Sequence, residues 1–171
     1  MKKKIFLIAS FVVAIVFISL LYFKSFKVTE SSYCPFCDEK VINYQKYYED
    51  ENVIGLLSYK PLLKGHSLII PKRHVERFEE LNETEIQSSF ELIKKTDLAA
   101  QKTLNTNSYI LIQKNGKEVG QSVSHVHFHY IPRKEGGANF GFICRFLLYP
   151  FKGKLKPSDM HQIASLLAEN I

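Results

Sequence analysis

Three histidines at alternate positions are the residues of this chain best suited to catalysis or metal binding. His125, His127 and His129 are separated by single apolar or aromatic residues. Successive side chains of a β-strand point to opposite faces, so this spacing sends all three imidazoles to one face. Neighbouring rings in such a row stand about 6.6 Å apart and can flank a single anionic group. One histidine is commonly a packed core residue, but a row of three predicts that the histidines line one side of a functional site.

Two kinds of chemistry suit such a row of imidazoles. A metal such as zinc can bind histidines that project from one strand. Alternatively, one imidazole acts as a nucleophile while its neighbours handle charge and protons. A nucleophilic imidazole must be neutral with one ring nitrogen free, and a hydrogen bond to the opposite N–H selects that tautomer. The row by itself leaves both chemistries open.

Two of the three cysteines form a C-x-x-C pair, Cys34 and Cys37. This spacing alone is compatible with zinc binding, redox chemistry or a disulfide. Cys144 lies in an apolar neighbourhood and is predicted to be a small buried residue rather than a nucleophile. His161 lies in a C-terminal stretch with helical spacing and is predicted to occupy a solvated helix face.

The elements that must position these residues follow from local sequence patterns. Runs rich in β-forming residues at 53–59 and 66–71 predict one strand pair. Runs at 109–113 and 123–131, on either side of an Asn-Gly turn signal, predict a second pair. Between the two pairs, Asn82 and Glu85 form the signature of a helix N-terminus with a capping box.

A second helix is predicted over residues 158–169, directly after Pro157. Adjacent strand pairs with a helix between them indicate an α+β fold with an antiparallel sheet, a central helix and a C-terminal helix. A doubly wound parallel sheet would instead require strands and helices to alternate regularly along the chain.

Composition limits the remaining possibilities. The chain has 171 residues, 46% of them hydrophobic and 23% charged, which fits one folded domain and excludes a disordered chain. Lys and Arg number 23 against 17 acidic residues, but without Lys2, Lys3 and Lys4 the balance is 20 against 17. So small an excess predicts no nucleic-acid-binding surface. A small anionic substrate needs only a local pocket.

The amino-terminal segment predicts a membrane anchor. Residues 5–23 contain no charged residue, Gly or Pro and would form about 28 Å of helix, enough to span a bilayer. A cleaved signal peptide, with a shorter apolar run and small residues at its end, and a buried core helix are the competing interpretations. We therefore expect an anchor at 1–24, a tether at 25–32 and one domain at 33–171. The preceding lysines predict a cytoplasmic amino end and an extracytoplasmic body.

The histidine row and its flanks resemble the histidine triad (HIT) family of nucleotide hydrolases and transferases. Residues 125–131 match the family signature His-φ-His-φ-His-φ-φ, where φ is a hydrophobic residue. Matching segments also lie on both sides of it: Gly120-Gln121-Ser122-Val123, Pro132-Arg133, Lys64-Gly65-His66 and Ile70-Pro71-Lys72. The resemblance covers residues 33–171 and implies a HIT-like fold. It also implies a homodimer, formed by continuing or packing the sheet and central helix across a two-fold axis.

The resemblance implies hydrolysis or transfer at the α-phosphate of purine nucleoside phosphoramidates or dinucleoside polyphosphates. His127 would attack phosphorus and carry the nucleotidyl group as a covalent intermediate. His129 and His66 would lie near the phosphate or the leaving group, where they stabilise developing charge or relay a proton. This chemistry requires no metal.

The same resemblance suggests nucleotide-binding residues. Gly120, Gln121 and Ser122 would contact phosphate oxygens through backbone N–H groups and a hydroxyl. The asparagine that usually precedes this run in the family aligns with either Lys114 or Asn115. Ser58 occupies the region where many members carry an acidic residue that holds the ribose hydroxyls, and it supplies no carboxylate.

The cysteine pair resembles that of the bacterial Hint-like branch of the family, which has an amino-terminal zinc knuckle. The resemblance implies a structural zinc ion held by Cys34, Cys37, His74 and His125, a set suited to tetrahedral coordination. A disulfide or redox use of the two cysteines remains an alternative in an oxidising compartment. Two further alternatives are a non-enzymatic zinc- or nucleotide-binding module and a thiol-redox protein.

Overall fold

An antiparallel sheet organises the described part of the chain. Its five strands are arranged in the order β1-β2-β3-β5-β4, and every neighbouring pair is antiparallel. The strands are β1 Lys46–Glu49, β2 Val53–Leu57, β3 Ser67–Pro71, β4 Thr106–Gln113 and β5 Phe128–Lys134. The central position of β3 and β5 places the strand of the histidine row in the interior of the sheet.

The coordinates are a computed structural model that describes Val13, Phe17, Leu20 and residues 33–137 and 139–171, with only the backbone described at Asn139. The helices of the body are α1 Glu39–Gln45, α2 Glu83–Leu104, α3 Asn139–Leu147 and α4 Pro157–Ala168. Short 3-10 turns lie at Pro35–Cys37, Phe78–Glu80, Lys117–Val119 and Tyr149–Phe151.

The two faces of the sheet are covered differently. Helices α2 and α4 pack on one face, over a core that includes Leu92, Met160 and Phe128. A smaller cluster on β2 and β3 consists of Ile54, Leu56, Leu68 and Ile70. Phe36 of the turn at Pro35–Cys37 and Ile42 of α1 cover it. Every residue of β2 and β3 is buried, as expected for strands covered on both faces.

Helix α2 begins as its sequence predicts. The Asn82 side chain accepts a hydrogen bond from the Glu85 backbone N–H, and the Glu85 carboxylate accepts one from the Asn82 backbone. Arg73 donates to both carboxylate oxygens of Glu85 at 2.8 Å. This charged contact ties the segment that follows β3 to the start of α2.

The predicted strand pairs form, but the second one differs from its predicted bounds, with a longer first strand and a second strand that begins and ends later. The first pair is β2 with β3, in a register that places Val53 opposite Pro71. The second is β4 with β5, yet β5 begins only at Phe128, so residues 123–127 lie outside the strand. The Asn115-Gly116 signal does not make a two-residue hairpin turn either. The connection is a longer loop, in which Gly116 and Gly120 adopt positive φ angles of 118° and 78°.

The predicted amino-terminal anchor, residues 1–24, and the tether, 25–32, lie outside the described residues except for Val13, Phe17 and Leu20. Spanning a bilayer takes about 20 consecutive apolar residues in one helix. No helix in the described part of the chain has both the length and the apolar character for this. The predicted fold class is therefore corrected to the α+β body alone, which is the part that the described residues form. The predicted single-pass membrane localisation with an extracytoplasmic body is withdrawn with it, since no described helix supports it.

Gly55 provides a test of the packing in β2. A Cβ atom at this position would lie 2.7 Å from Cζ of Tyr47, whose buried hydroxyl is 3.0 Å from the hydroxyl oxygen of Thr96. We expect Gly55→Ala to lower the free energy of unfolding by about 1–3 kcal/mol, because the buried Tyr47 ring would have to shift and strain its hydrogen bond to Thr96. Urea unfolding measures the change. Gly153→Ala, where an added Cβ meets no atom within 4 Å, is the matched control. Equal stabilities of the two variants would contradict this account of the packing.

Candidate active site and metal centre

The three histidines of the row share one side of the sheet. The residues between and after them, Val126, Phe128 and Tyr130, are buried in the core on the opposite side. His129 pairs with Leu68 of β3, and the rings of His127 and His129 lie 4.9 Å apart between centroids. The alternation therefore operates through residues 125–127 as well, although these precede the regular strand.

The surroundings of His127 select one tautomer of its ring. Nδ1 lies 2.7 Å from the backbone carbonyl oxygen of His125. A carbonyl can only accept, so Nδ1 carries the proton and donates it to that bond. Burial lowers the pKa of His127, which keeps the imidazole neutral at neutral pH. Nε2 is therefore the unprotonated nitrogen, with a lone pair available for bonding to an electrophile.

A second chain of hydrogen bonds orders His66 and His129. The backbone N–H of Leu62 donates to Nδ1 of His66 at 3.0 Å, so the proton of the neutral His66 ring is on Nε2. That nitrogen lies 3.0 Å from Nδ1 of His129 and donates to it. His129 consequently carries its own proton on Nε2. Burial lowers the pKa of His66 to about 3 and that of His129 to about 2.

Phe36 forms the wall of the site next to His127. Its ring lies 5.1 Å from the His127 ring and 6.0 Å from the His125 ring between centroids, in edge-on contact with both. His127 itself is only 4% exposed. The His127 ring is thus flanked by Phe36 on one side and His129 on the other. Sequence reasoning did not identify Phe36, because a phenylalanine inside C-x-x-C has no signature of its own.

Cys34, Cys37, His74 and His125 come together as a Cys₂His₂ cluster. Their candidate ligand atoms all lie within 4.8 Å of one another. Nδ1 of His125 is 3.4 Å from the Cys34 sulfur and 3.7 Å from the Cys37 sulfur, and Nδ1 of His74 is 3.4 Å from the Cys37 sulfur. In a tetrahedral zinc site the sulfur and nitrogen ligands are about 3.6 Å apart, given the usual bond lengths. The spacing of this cluster therefore fits zinc.

The protonation of His125 also fits a metal ligand. Its Nε2 lies 2.9 Å from the backbone carbonyl oxygen of Pro71 and donates to it, which leaves the Nδ1 lone pair directed at the sulfurs. Both cysteines are free thiols rather than a disulfide. Burial and a hydrogen bond with Cys37 raise the pKa of Cys34 to about 11. A redox-active thiol normally has a lowered pKa, so this environment does not support the thiol-redox alternative.

Two residues predicted to bind nucleotide, Gln121 through its backbone and Asn115, have side chains that hold their loop together. The Gln121 side chain accepts from the Gly116 N–H at 2.6 Å and donates to the Glu76 carbonyl at 3.0 Å. Asn115 accepts from the Phe78 N–H and donates to Glu79. These amides join the loop before the histidine row to the turn at Phe78–Glu80. Their assignment to nucleotide binding stays a prediction.

The other predicted nucleotide-binding residues are placed as follows. Ser122 is exposed, and Gly120 lies at the left-handed end of the Lys117–Val119 turn. Ser58 is 5% exposed. Burial raises the pKa of Tyr149, and a hydrogen bond with the Ser58 hydroxyl opposes that shift, so this hydroxyl faces Tyr149. The predicted contact between Ser58 and a ribose stays a prediction.

Two residues outside the site have predicted burial that the structure tests: Cys144 was expected to be buried and His161 to be exposed. Cys144 lies on α3 and is half-buried rather than buried. His161 on α4 is exposed, as predicted, with its ring edge-on to Tyr44 at 6.0 Å.

Comparison with known proteins places this site in a family. Residues 39–136, more than half of the chain, match the HIT domain. An uncharacterised HIT-like protein of Methanocaldococcus jannaschii is 38% identical over 134 residues, which are 76% of this chain and 95% of that protein. The chain therefore belongs to the HIT domain family, and this membership supports nucleotide hydrolase activity in general.

Further relatives include named enzymes and a metal-bound structure. Adenylylsulfatase HINT3 of Arabidopsis thaliana is 37% identical over 60% of this chain and 53% of its own length. The asymmetrical bis(5'-nucleosyl)-tetraphosphatase of Schizosaccharomyces pombe is 32% identical over 55% and 52%. A zinc-bound histidine triad family protein of Mycobacterium smegmatis shares the fold, with a TM-score of 0.61 and 24% identity over 80% of this chain and 94% of that one.

The lowered pKa values predict a specific pH dependence of stability. The unfolded chain takes up protons on its histidines below about pH 6.5, whereas folded His66, with a pKa of about 3, stays neutral. The free energy of unfolding should therefore fall as the pH drops from 6.5 towards 4. His66→Gln, which keeps a donor near His129, should reduce the loss between pH 7 and pH 5 by up to about 2 kcal/mol.

Urea unfolding at several pH values, with a chelator present so that metal ligands do not contribute, measures this loss. His161→Gln is the control, since it removes an exposed imidazole. An unchanged pH dependence in the His66 variant would show that His66 is not held neutral by burial.

Proposed function

We propose that this protein hydrolyses a nucleotide at the α-phosphate, with His127 as the nucleophile. The observation that carries the proposal is the hydrogen bond from His127 Nδ1 to the carbonyl oxygen of His125 at 2.7 Å. This bond holds the proton on Nδ1 and leaves Nε2 as a neutral nucleophile. His129 stands beside that ring at a centroid distance of 4.9 Å, with its own proton on Nε2.

The reaction takes two displacement steps. In the first, the Nε2 lone pair of His127 forms a bond to phosphorus while the bond from phosphorus to the leaving group breaks, and that electron pair departs with the leaving group. A leaving amine takes up one proton from solvent, whereas a leaving phosphate departs as an anion. In the second, a water oxygen bonds to phosphorus, the nitrogen–phosphorus bond breaks and its pair returns to Nε2. The water loses one proton to solvent, and the nucleoside monophosphate is released. His127 ends in its starting tautomer.

The charge that develops on phosphate oxygens needs donors already in place. The Nε2–H of His129 is one, since His66 fixes its tautomer. By the family resemblance the hydroxyl of the exposed Ser122 supplies another. The backbone N–H groups of Gly120 and Gln121, predicted as further donors, already donate to the carbonyls of Lys117 and Gly116 at 2.9 and 3.1 Å. Neutral donors suffice here because they are held by the fold and need no rearrangement during the reaction.

The substrates we propose are purine nucleoside phosphoramidates or dinucleoside polyphosphates. The names of two relatives, an adenylylsulfatase and a bis(5'-nucleosyl)-tetraphosphatase, describe activities on nucleotides and support this class. Ser58 supplies no carboxylate to a ribose and is buried, so we expect the ribose hydroxyls to be held by other groups than in many family members.

We also propose that the Cys₂His₂ cluster holds a structural zinc ion. Its support is the ligand spacing, the free Nδ1 of His125 and the zinc-bound relative. Bound there, zinc would join the turn at Pro35–Cys37 to the histidine row and to His74, and it would supply folding energy rather than chemistry.

A homodimer is the assembly we propose. Strand β4 is at the edge of the sheet, and it presents Tyr109 and Leu111 with exposed fractions of 45% and 37%. Leu98 of α2, the helix that packs against β4, is 57% exposed. An edge strand with exposed apolar side chains is suited to pairing with a second copy.

Replacing His127 tests the proposed reaction. Wild-type protein incubated with adenosine 5'-phosphoramidate or diadenosine tetraphosphate should release AMP and form an acid-labile adduct on His127. His127→Ala should lower turnover by at least about 10³-fold, because it removes the nucleophile, while nucleotide binding remains. Mass spectrometry of peptides locates the adduct.

His161→Ala, which removes an exposed histidine far along the chain, is the matched control and should retain wild-type turnover. A protein that binds nucleotide without any turnover would instead be a binding module. Turnover that survives in the His127 variant would exclude this residue as the nucleophile.

The zinc proposal has its own test. Protein purified without chelator should contain about one zinc ion per chain, and a strong chelator should lower its melting temperature. Cys37→Ser should abolish stoichiometric zinc, whereas Cys144→Ser, which changes the cysteine outside the cluster, should keep it. Elemental analysis and calorimetry measure both quantities. Protein free of zinc, with Cys34 and Cys37 joined as a disulfide by mass spectrometry, would contradict the proposal.

A further inference from the structure

Lys114 is brought to the histidine row by the pairing of β4 with β5. The register of this pair sets Ile112 opposite His129 and Gln113 opposite Phe128. Lys114 and His127 are the next residues after this last pair, Lys114 beyond the end of β4 and His127 before the start of β5. Directly opposed residues of antiparallel strands project to the same face, so Ile112 shares the face of His129, and the chain reaches Lys114 two residues later.

The contacts of Lys114 agree with this placement. Its side chain is half-buried, and Nζ donates to the backbone carbonyl of Gly120 at 3.3 Å. Burial lowers the pKa of His129, and nearby positive charges, that of Lys114 among them, add to that shift. By its contact with the Gly120 carbonyl, the ammonium group lies next to the segment Gly120–Ser122 that the family resemblance assigns to phosphate.

The surroundings of the Lys114 ammonium group favour the binding of an anion. Burial lowers the pKa of Lys114, so its ammonium form is poorly solvated, and the Gly120 carbonyl is a neutral acceptor. An anionic group bound nearby would stabilise the ammonium form. An asparagine, the residue the family resemblance leads one to expect in this stretch, offers an amide but no charge.

The two candidate substrate classes differ in what leaves phosphorus. A phosphoramidate expels an amine, which must gain a proton as the phosphorus–nitrogen bond breaks. A dinucleoside polyphosphate expels a nucleoside polyphosphate. This group departs as an anion with the electron pair of the phosphorus–oxygen bond and needs no proton. A fixed cation stabilises the second kind of leaving group far more than the first.

We propose that Lys114 is a specificity-determining residue that pairs with the phosphates beyond the α-phosphate and makes dinucleoside polyphosphates the preferred substrates. This inference rests on the proposed function and narrows its substrate class. During the first displacement, the departing phosphate oxygen takes the electron pair and the Lys114 ammonium neutralises the charge that develops there.

The test is a comparison of two substrates in four proteins. The kcat/KM values for diadenosine tetraphosphate and adenosine 5'-phosphoramidate are measured for wild type, Lys114→Met, Lys114→Arg and Lys94→Met. We expect K114M to lower the ratio of the two values, polyphosphate over phosphoramidate, by about 10-fold, because a single charge-assisted contact is lost. K114R, which keeps the charge, should restore the ratio to within about 3-fold of wild type. K94M removes an exposed charge on α2, on the opposite face of the sheet, and should leave the ratio unchanged.

Melting temperatures of the variants, compared with wild type, show whether each one folds. A K114M protein that folds but loses both activities equally would overturn the inference, since Lys114 would then serve the shared α-phosphate or the structure of the site. Calorimetric binding of diadenosine tetraphosphate and of AMP separates this result from failure of the proposed function. If wild type turns over neither substrate, the proposed reaction is wrong. The inference about Lys114 then holds only if K114M, unlike wild type, no longer binds diadenosine tetraphosphate in preference to AMP.

Discussion

The hydrogen bond between the His127 ring and the His125 carbonyl joins two chemically different sites. On the side-chain end of His125, the ring donates to Pro71 and turns its free nitrogen to the cysteines. On the backbone end, the carbonyl accepts from His127 and defines the nitrogen that can act as a nucleophile. The Cys₂His₂ cluster and the proposed nucleophile therefore share one residue, so the orientation of His125 determines both.

The sheet and helix α2 hold this shared residue in place. The carbonyl of Pro71 at the end of β3 binds the His125 ring, and the next residues lead to His74. Arg73, between Pro71 and His74, is bound to the carboxylate that also caps α2. Two of the four cluster residues thus depend on the segment after β3, which a charged contact anchors to the longest helix of the body. The cluster is consequently built on the core and not on an isolated loop.

The sequence predicted the parts of this arrangement that depend on short-range patterns. Alternation placed the histidines on one face, and the Asn82-Glu85 signature located the start of α2. Asn115 illustrates what such patterns leave out. Its turn propensity was evident, but its side chain binds Phe78 and Glu79, whose proximity results from the folded chain. The position of Lys114 just beyond the end of β4 likewise follows from the pairing of β4 with β5, which no local pattern contains.

The turn at Pro35–Cys37 places an aromatic ring between two thiols. Phe36 contacts the rings of His125 and His127 and also the small apolar cluster on β2 and β3. A bond or contact that fixes the sulfur atoms of the two cysteines therefore fixes this ring as well. The packing against the His127 ring consequently depends on a side chain that performs no chemistry. A residue of another size at position 36 would alter what lies against this ring while the thiols and imidazoles stay as they are.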